Sequence, residues 1–199
     1  MKNIPIFPLN GAILLPGSNL PLNIFEERYL QMVDYAMSND RKIGMIQEIE
    51  SSKTLYNFGC IGKITSFSET KDNRYIINLS GLNRFKKVKE IESKTLFRIL
   101  SIIENDDSVF NKGNFNYDKD LLFEKFKFFL QKQDQETNFS GLEEIESDEL
   151  VKFIAMACPF NVSEKQMLLE SKNINNLAEN LISLFDFYNN EYQNKTSIN

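Results

Sequence analysis

The chain has 199 residues and a formal net charge of −5, with 42% hydrophobic and 26% charged residues. It contains no histidine, and its two cysteines stand far apart at positions 60 and 158, which excludes histidine-dependent catalysis and the usual zinc-ligand spacings. No apolar run approaches the roughly 20 residues of a membrane helix and no signal-peptide pattern opens the sequence, so we expect a cytoplasmic protein without a membrane partner.

The opening segment is rich in proline, which marks strand starts, strand edges and turns because it has no backbone N–H. Apolar residues alternate there with four prolines: Pro5, Pro8, Pro16 and Pro21. This pattern predicts short strands that are separated by a turn at Pro16-Gly17.

The spacing of apolar residues becomes helical after residue 25. The apolar positions are Tyr29, Leu30, Val33, Ala36 and Met37. The polar residues Glu27, Gln31 and Asp34 fall on the opposite face. We therefore predict one amphipathic helix that ends near Asn39-Asp40.

Strand signals return after this helix, at intervals of about ten residues. They occupy the ranges 43–46, 58–67, 75–79, 85–91 and 95–103. Many short strands with turn residues between them favour a barrel or a sandwich. We predict that residues 1–110 form one β-rich lobe.

The second part of the chain has helical spacing throughout, and we predict an α-helical lobe over residues 116–192 with a frayed tail at 193–199. One predicted helix stops at Cys158-Pro159, because proline cannot continue a helix. The next begins with a capping-box pattern at residues 163–166, with Ser163 as the N-cap.

Three short motifs occur in a fixed order in the first half of the chain. They are Phe-Glu-Glu-Arg-Tyr at 25–29, Leu-Tyr-Asn-Phe-Gly at 55–59 and Gly-Leu-Asn-Arg-Phe at 81–85. The series resembles the Lon protease N-terminal substrate-binding domain, apart from Glu27, where that family often has proline. The resemblance implies an α+β fold, namely a PUA-like β pseudo-barrel with one inserted helix, followed by a C-terminal helical bundle.

The sequence offers no residues for catalysis, for a cofactor or for a metal. No Gly-x-x-x-x-Gly-Lys-Ser/Thr loop is present to bind ATP, and we expect the chain to end before any Lon-type ATPase or Ser-Lys protease domain. Ser163 and Lys165 are two positions apart, so a helix directs them to different faces. The acidic run at 143–149 lacks the sharp glycine turn of a calcium site. We expect both thiols to be reduced and buried.

The resemblance implies a non-catalytic protein that binds unfolded, partly folded or tagged polypeptides in protein quality control. A protease or a chaperone is a further candidate partner. Two alternatives are an adaptor for one folded protein and an RNA-binding protein with a PUA-like fold. Fold analogy is a weak argument for RNA binding, and the acidic balance of the chain disfavours a nucleic-acid partner.

The candidate polypeptide-binding residues are Glu27, Arg28 and Gln31, at the start of the first helix and next to the Pro21-Leu22 strand. A structural alternative applies to the charged residues of the motifs. Glu26 can pair with an arginine and fix the helix on the barrel, because a partly buried arginine favours a bidentate carboxylate. For Arg84 we expect such a structural ion pair.

Overall fold

A computed structural model describes residues 1–49, 51–107, 110, 116–132, 141–142 and 144–196, with side chains as far as residue 190. The strands are β1 Lys2–Pro8, β2 Asn19–Ile24, β3 Lys42–Ile49, β4 Thr54–Glu69, β5 Tyr75–Ile91 and β6 Arg98–Glu104. The helices are α1 Glu27–Met37, α2 Lys119–Lys132, α3 Ser147–Ala157, α4 Val162–Leu169 and α5 Ile174–Thr196. The predicted α+β class is confirmed.

Five of the strands close into a ring. β1 pairs in parallel with β3 and antiparallel with β6, and β3, β4, β5 and β6 continue the ring through antiparallel pairs. β5 is long enough to pair with three strands: β4 over residues 75–86, β2 through its first part and β6 through its last part. The ring with helix α1 inserted between β2 and β3 is the barrel that the sequence led us to expect.

The ring is filled by aliphatic side chains around Phe85, which is fully buried. Two glycines, Gly59 and Gly81, lie where a larger residue would collide with its surroundings. A Cβ atom on Gly59 would lie 2.4 Å from the Met45 carbonyl oxygen and 2.5 Å from Phe85 Cζ. A Cβ atom on Gly81 would lie 2.1 Å from the Leu15 carbonyl oxygen. Both glycines therefore allow a close approach of backbone that a larger residue would prevent.

Helix α1 buries the apolar side of its amphipathic sequence. Its buried residues are Tyr29, Met32, Val33 and Ala36. The Tyr29 ring meets Phe7 edge to face, with 4.4 Å between the ring centroids, which fixes the helix to β1. The helix ends at Met37, and Ser38 Oγ donates a hydrogen bond to the Asp34 carbonyl oxygen at 2.9 Å. The predicted helix is confirmed.

Arg84 forms a buried ion pair with Asp107. Arg84 Nη2 donates to Asp107 Oδ1 at 2.7 Å and Arg84 Nε donates to Asp107 Oδ2 at 3.1 Å, so the contact is bidentate. Arg84 Nη1 also donates to the Leu169 carbonyl oxygen at 3.1 Å, at the end of α4. The expected structural ion pair of Arg84 is confirmed, and it joins β5, the segment after β6, and α4.

The contacts divide the chain into two compact units. The first contains Met1–Val109 and Pro159–Glu170, and the second contains Phe110–Cys158 and Ser171–Asn199. Helix α4 thus belongs to the strand-bearing unit, whereas the sequence led us to place it in the helical lobe 116–192. Buried Gln47 Nε2 accounts for this, because it donates to the Val162 carbonyl oxygen at 3.0 Å and to Gln166 Oε1 at 3.1 Å.

The capping box of α4 lies two residues before the predicted one. Asn161 Oδ1 accepts from the Glu164 backbone N–H at 2.9 Å, and Glu164 Oε2 accepts from the Asn161 backbone N–H at 2.9 Å. Ser163 is inside the helix, and its Oγ donates to Asn161 Oδ1 at 2.7 Å. The prediction that Ser163 is the N-cap is therefore wrong, because Asn161 with Glu164 satisfies the same pattern in the observed register.

The second unit packs α2 and α3 against α5. The Phe185 ring on α5 lies 6.2 Å from Phe126 and 5.2 Å from Phe129, centroid to centroid. Helix α5 extends to Thr196, beyond the predicted end of the lobe at residue 192, and residues 197–199 of the predicted tail lie outside the described part of the chain. Of the described helices, none combines the length and the apolar character needed to cross a membrane.

Candidate polypeptide-binding surface

The three candidate residues lie together at the start of α1. Glu27 and Arg28 are exposed, Gln31 is half-buried, and Gln31 Nε2 donates to Glu27 Oε1 at 2.9 Å. Arg28 Cζ lies 4.4 Å from the centre of the Tyr29 ring, so the guanidinium covers that ring. The structure thus places Glu27, Arg28 and Gln31 on the solvent side of the helix, and their role in binding stays a prediction.

Glu26 has an arginine partner, but the pair does not fix the helix on the barrel. Arg28 Nη2 lies 2.8 Å from Glu26 Oε2, and about half of each side chain is exposed, at 52% and 46%. An exposed pair two residues apart in sequence contributes little to stability. The structural alternative therefore applies to buried Arg84 and not to Glu26 and Arg28.

Three aromatic residues that are exposed or half-buried, Phe25, Phe67 and Tyr75, lie near the start of α1, and we call them the first apolar cluster. Tyr75 stands opposite both Ile24 and Glu69 in the sheet register, so β5 brings the ends of β2 and β4 together there. The Phe67 and Tyr75 rings meet edge to face at 4.9 Å. Phe25 is 63% exposed and Phe67 is 40% exposed, which is unusual for side chains of this size.

A second apolar cluster, formed by Tyr35, Leu96 and Phe97, lies beside the later part of α1. The Tyr35 and Phe97 rings are 5.4 Å apart, and Tyr35 is 44% exposed. Leu96 is 58% exposed and lines an open depression of about 450 Å³ formed by residues 90–93 and 95–98. The two apolar clusters therefore lie near the two ends of β5, and α1 contributes Tyr35 to the second cluster.

This arrangement suits an extended chain. Apolar side chains of such a chain can contact either cluster, while the polar side chains of α1 offer donors and acceptors for its backbone. The strand β2 leads directly into this surface, with Pro21 exposed and Leu22 half-buried. Exposed apolar groups rimmed by polar residues are typical of protein-binding surfaces.

Carboxylates determine the electrostatics of the first apolar cluster. Desolvation raises the pKa of Tyr75, and the nearby carboxylates of Asp34, Glu69 and Glu27 raise it further. Arg74 Cζ lies 5.9 Å from the centre of the Phe25 ring, and Arg74 Nε lies 2.8 Å from Asp72 Oδ2.

The described residues provide no arrangement for metal chemistry. Within the described ranges, no group of three or more His, Cys, Asp or Glu side chains is placed to hold a metal ion. Cys60 and Cys158 are both buried, as expected from the sequence. Burial raises the pKa of the Cys60 thiol far above its usual range, so this thiol is unreactive.

Comparisons with known proteins agree with the motifs. The family model of the ATP-dependent protease La (LON) substrate-binding domain matches residues 3–186. The Lon protease of Buchnera aphidicola subsp. Schizaphis graminum is 25% identical over 197 residues, which cover 92% of this chain and 25% of that protein. The Lon protease of Dictyoglomus thermophilum is 25% identical over 179 residues, which cover 86% of this chain and 22% of that protein. The chain thus spans about a quarter of the length of these relatives.

Solved structures share the fold. A Lon N-terminal domain protein from Xanthomonas campestris superposes with a TM-score of 0.66 at 19% identity, covering 92% of this chain and 98% of that chain. The N-terminal domain of the Mycobacterium avium complex Lon protease gives a TM-score of 0.64 at 16% identity, covering 93% and 98%. Together with the family match over residues 3–186, the motifs and the fold lead to one conclusion: this chain belongs to the Lon substrate-binding domain family.

Proposed function

We propose that this chain is a Lon-type substrate-binding protein that holds unfolded or partly folded polypeptides and acts in protein quality control. The observation that carries the proposal is Phe25, a large aromatic residue that is 63% exposed beside the polar face of α1. Burying such a side chain against a partner is worth about 1.5–3 kcal/mol. Unfolded polypeptides offer apolar side chains that can cover the exposed part of the Phe25 ring.

The proposed binding mode uses α1 and the two apolar clusters together. A client segment places apolar side chains on the clusters, and its backbone groups pair with Glu27, Arg28 and Gln31. Contacts of this kind tolerate many sequences, because the clusters select for apolar character and the pairs with backbone groups do not depend on sequence. Affinity for any one segment is therefore modest.

The proposed role includes no catalytic step. The matched family model is that of a substrate-binding domain, and the described residues contain no metal-binding group of three or more His, Cys, Asp or Glu side chains. The proposed role leaves client release and degradation to other domains or proteins, and a protease or a chaperone is the partner class that this role needs.

Two variants test the proposed surface. Phe25→Ala and the triple variant Glu27→Ala, Arg28→Ala, Gln31→Ala should each weaken binding of a fluorescein-labelled unfolded polypeptide, such as reduced and carboxymethylated α-lactalbumin, measured by fluorescence anisotropy. For Phe25→Ala we expect the dissociation constant to rise about tenfold, because about half of a buried phenylalanine contact is lost. The triple variant should melt like the parent, because each surface change shifts stability by about 0.5 kcal/mol or less.

The matched control is Phe187→Ala, which removes a 55% exposed phenylalanine of α5 in the second unit. It should leave client binding unchanged. The proposed surface is wrong if both test variants bind the unfolded polypeptide as the parent does. Isolation of one folded, stoichiometric partner from native cytosol, with no unfolded clients, would instead favour the adaptor role.

A further inference from the structure

Three carboxylates, Glu27, Asp34 and Glu69, lie near Tyr75 of the first apolar cluster. Glu69 stands opposite Tyr75 in the β4–β5 register, and Glu27 begins α1 two residues after Phe25. Asp34 lies two turns further along α1, on the same exposed side as Glu27, and it is close enough to Tyr75 to interact with its hydroxyl group. The cluster is therefore an aromatic surface with an acidic rim.

The cations nearby do not neutralise this rim. Arg28 is paired with Glu26 at 2.8 Å, and Arg74 is paired with Asp72 at 2.8 Å. In the part of the chain that the structure describes, the rim carboxylates of Glu27, Asp34 and Glu69 form no ion pair. Lys71, in the exposed turn between β4 and β5, is the remaining positive charge of residues 67–75.

The aromatic rings themselves favour the same charge. The face of a phenylalanine ring attracts a cation within about 6 Å of its centre, and Arg74 already lies 5.9 Å from Phe25. A cation that arrives from another molecule gains both from the exposed Phe25 ring and from the carboxylates. An incoming carboxylate meets like charge on this rim and gains from neither.

We propose that the first apolar cluster selects polypeptide segments in which a lysine or an arginine adjoins an aromatic or aliphatic residue. The inference rests on the proposed function and names the class of segment that this surface takes. The apolar residue packs on Phe25 and Phe67, and the neighbouring cation lies among Glu27, Asp34 and Glu69. Charge complementarity of this kind adds specificity to an interface whose apolar contacts are permissive.

The experiment compares three unstructured, fluorescein-labelled 12-residue peptides with identical phenylalanine and leucine positions. Two positions next to the apolar residues carry lysine, glutamine or glutamate. At low ionic strength we expect the lysine peptide to bind about fivefold tighter than the glutamate peptide, with the glutamine peptide between them, because exposed pairs are individually weak and screened by salt. The difference should shrink in 0.5 M NaCl.

A charge-neutralised variant connects the preference to the rim. The substitutions are Glu27→Gln, Asp34→Asn and Glu69→Gln. This variant should bind the three peptides with equal affinity, because the charge that distinguishes them is no longer present. The control removes three exposed carboxylates of the second unit, with the substitutions Glu124→Gln, Glu149→Gln and Glu179→Gln, and should keep the preference for lysine.

The two proposals fail in different ways. Equal affinity of the parent for all three peptides overturns the charge selection and leaves the polypeptide-binding role intact. A lysine preference that persists in the rim variant also overturns the charge selection, because groups outside the rim then recognise the charge. Failure of the parent to bind any of the three peptides, or unfolded α-lactalbumin, contradicts the proposed function itself.

Discussion

At the scale of single residues, the two arginines of the family motifs have opposite environments. Arg84 is 8% exposed and its partner Asp107 is 5% exposed, whereas Arg28 forms its ion pair at the surface. The energetic weight of an ion pair depends on this difference. Removing one partner of a buried pair leaves an uncompensated charge, while an exposed charge remains in water.

We therefore predict that Arg84→Ala lowers the free energy of unfolding by about 3–5 kcal/mol, since Asp107 is left buried and unpaired. Arg28→Ala is the matched control and should change it by about 0.5 kcal/mol or less. Urea denaturation followed by circular dichroism measures both. An Arg84→Ala midpoint equal to that of the parent would show that Asp107 finds water or another partner.

The sequence predicts that Arg84 forms a structural ion pair, but it does not identify the partner. The arginine of the Gly-Leu-Asn-Arg-Phe motif indicates a structural ion pair, but Asp107 lies 23 positions further along, after β6. Only the closed ring brings the two together. Likewise, the sequence predicts a change from strand to helix at Phe25 but not its 63% exposure, which follows from its position between β2 and α1.

At the scale of elements, the spacing of apolar residues predicts a helix correctly where that helix packs through apolar side chains. The spacing of Tyr29, Val33 and Ala36 predicts α1 because those side chains pack on the barrel. Helix α4 is different, because buried Lys165 and Gln166 stand among its apolar residues, and Gln166 Nε2 donates to the Phe58 carbonyl oxygen at 3.1 Å. A helix held by polar contacts gives no sequence signal for the unit it joins.

The capping register of α4 is testable. Asn161→Ala removes the acceptor for the Glu164 backbone N–H and should destabilise the protein by about 1 kcal/mol. Ser163→Ala loses one exposed hydrogen bond and should cost about 0.5 kcal/mol or less. Thermal melting of both variants shows which of the two residues caps the helix. A larger loss for Ser163→Ala would restore the N-cap that the sequence suggested.

At the scale of the whole molecule, the chain combines a closed β unit with a three-helix unit, and the proposed binding surface belongs to the first. Residues 25–35 and 67–75, with Leu96 and Phe97, provide every group that the proposal uses. The relatives it matches are about four times longer, and the matched part is the one named for substrate binding.

From this domain content we predict that the purified chain neither hydrolyses ATP nor cleaves casein. The sequence has no phosphate-binding glycine loop with its lysine, and the matched family model covers a binding domain alone. A malachite-green phosphate assay and a fluorescent casein assay measure the two activities. Turnover that co-purifies with the chain through several columns, and is unaffected by removing Phe25, would show an activity beyond binding.

The pairing of β1 with β6 has a consequence for synthesis on the ribosome. Lys2 stands opposite Ile102, so the first strand to emerge cannot complete its pairing until the sixth has been made. At about 5–20 residues per second, that delay lasts some 5–20 s. During it, the growing chain exposes unpaired strand edges of the kind that attract other chains. A protein that we propose to bind unfolded polypeptides thus exposes unpaired strands during its own synthesis. Its own nascent chain is therefore a client to test first.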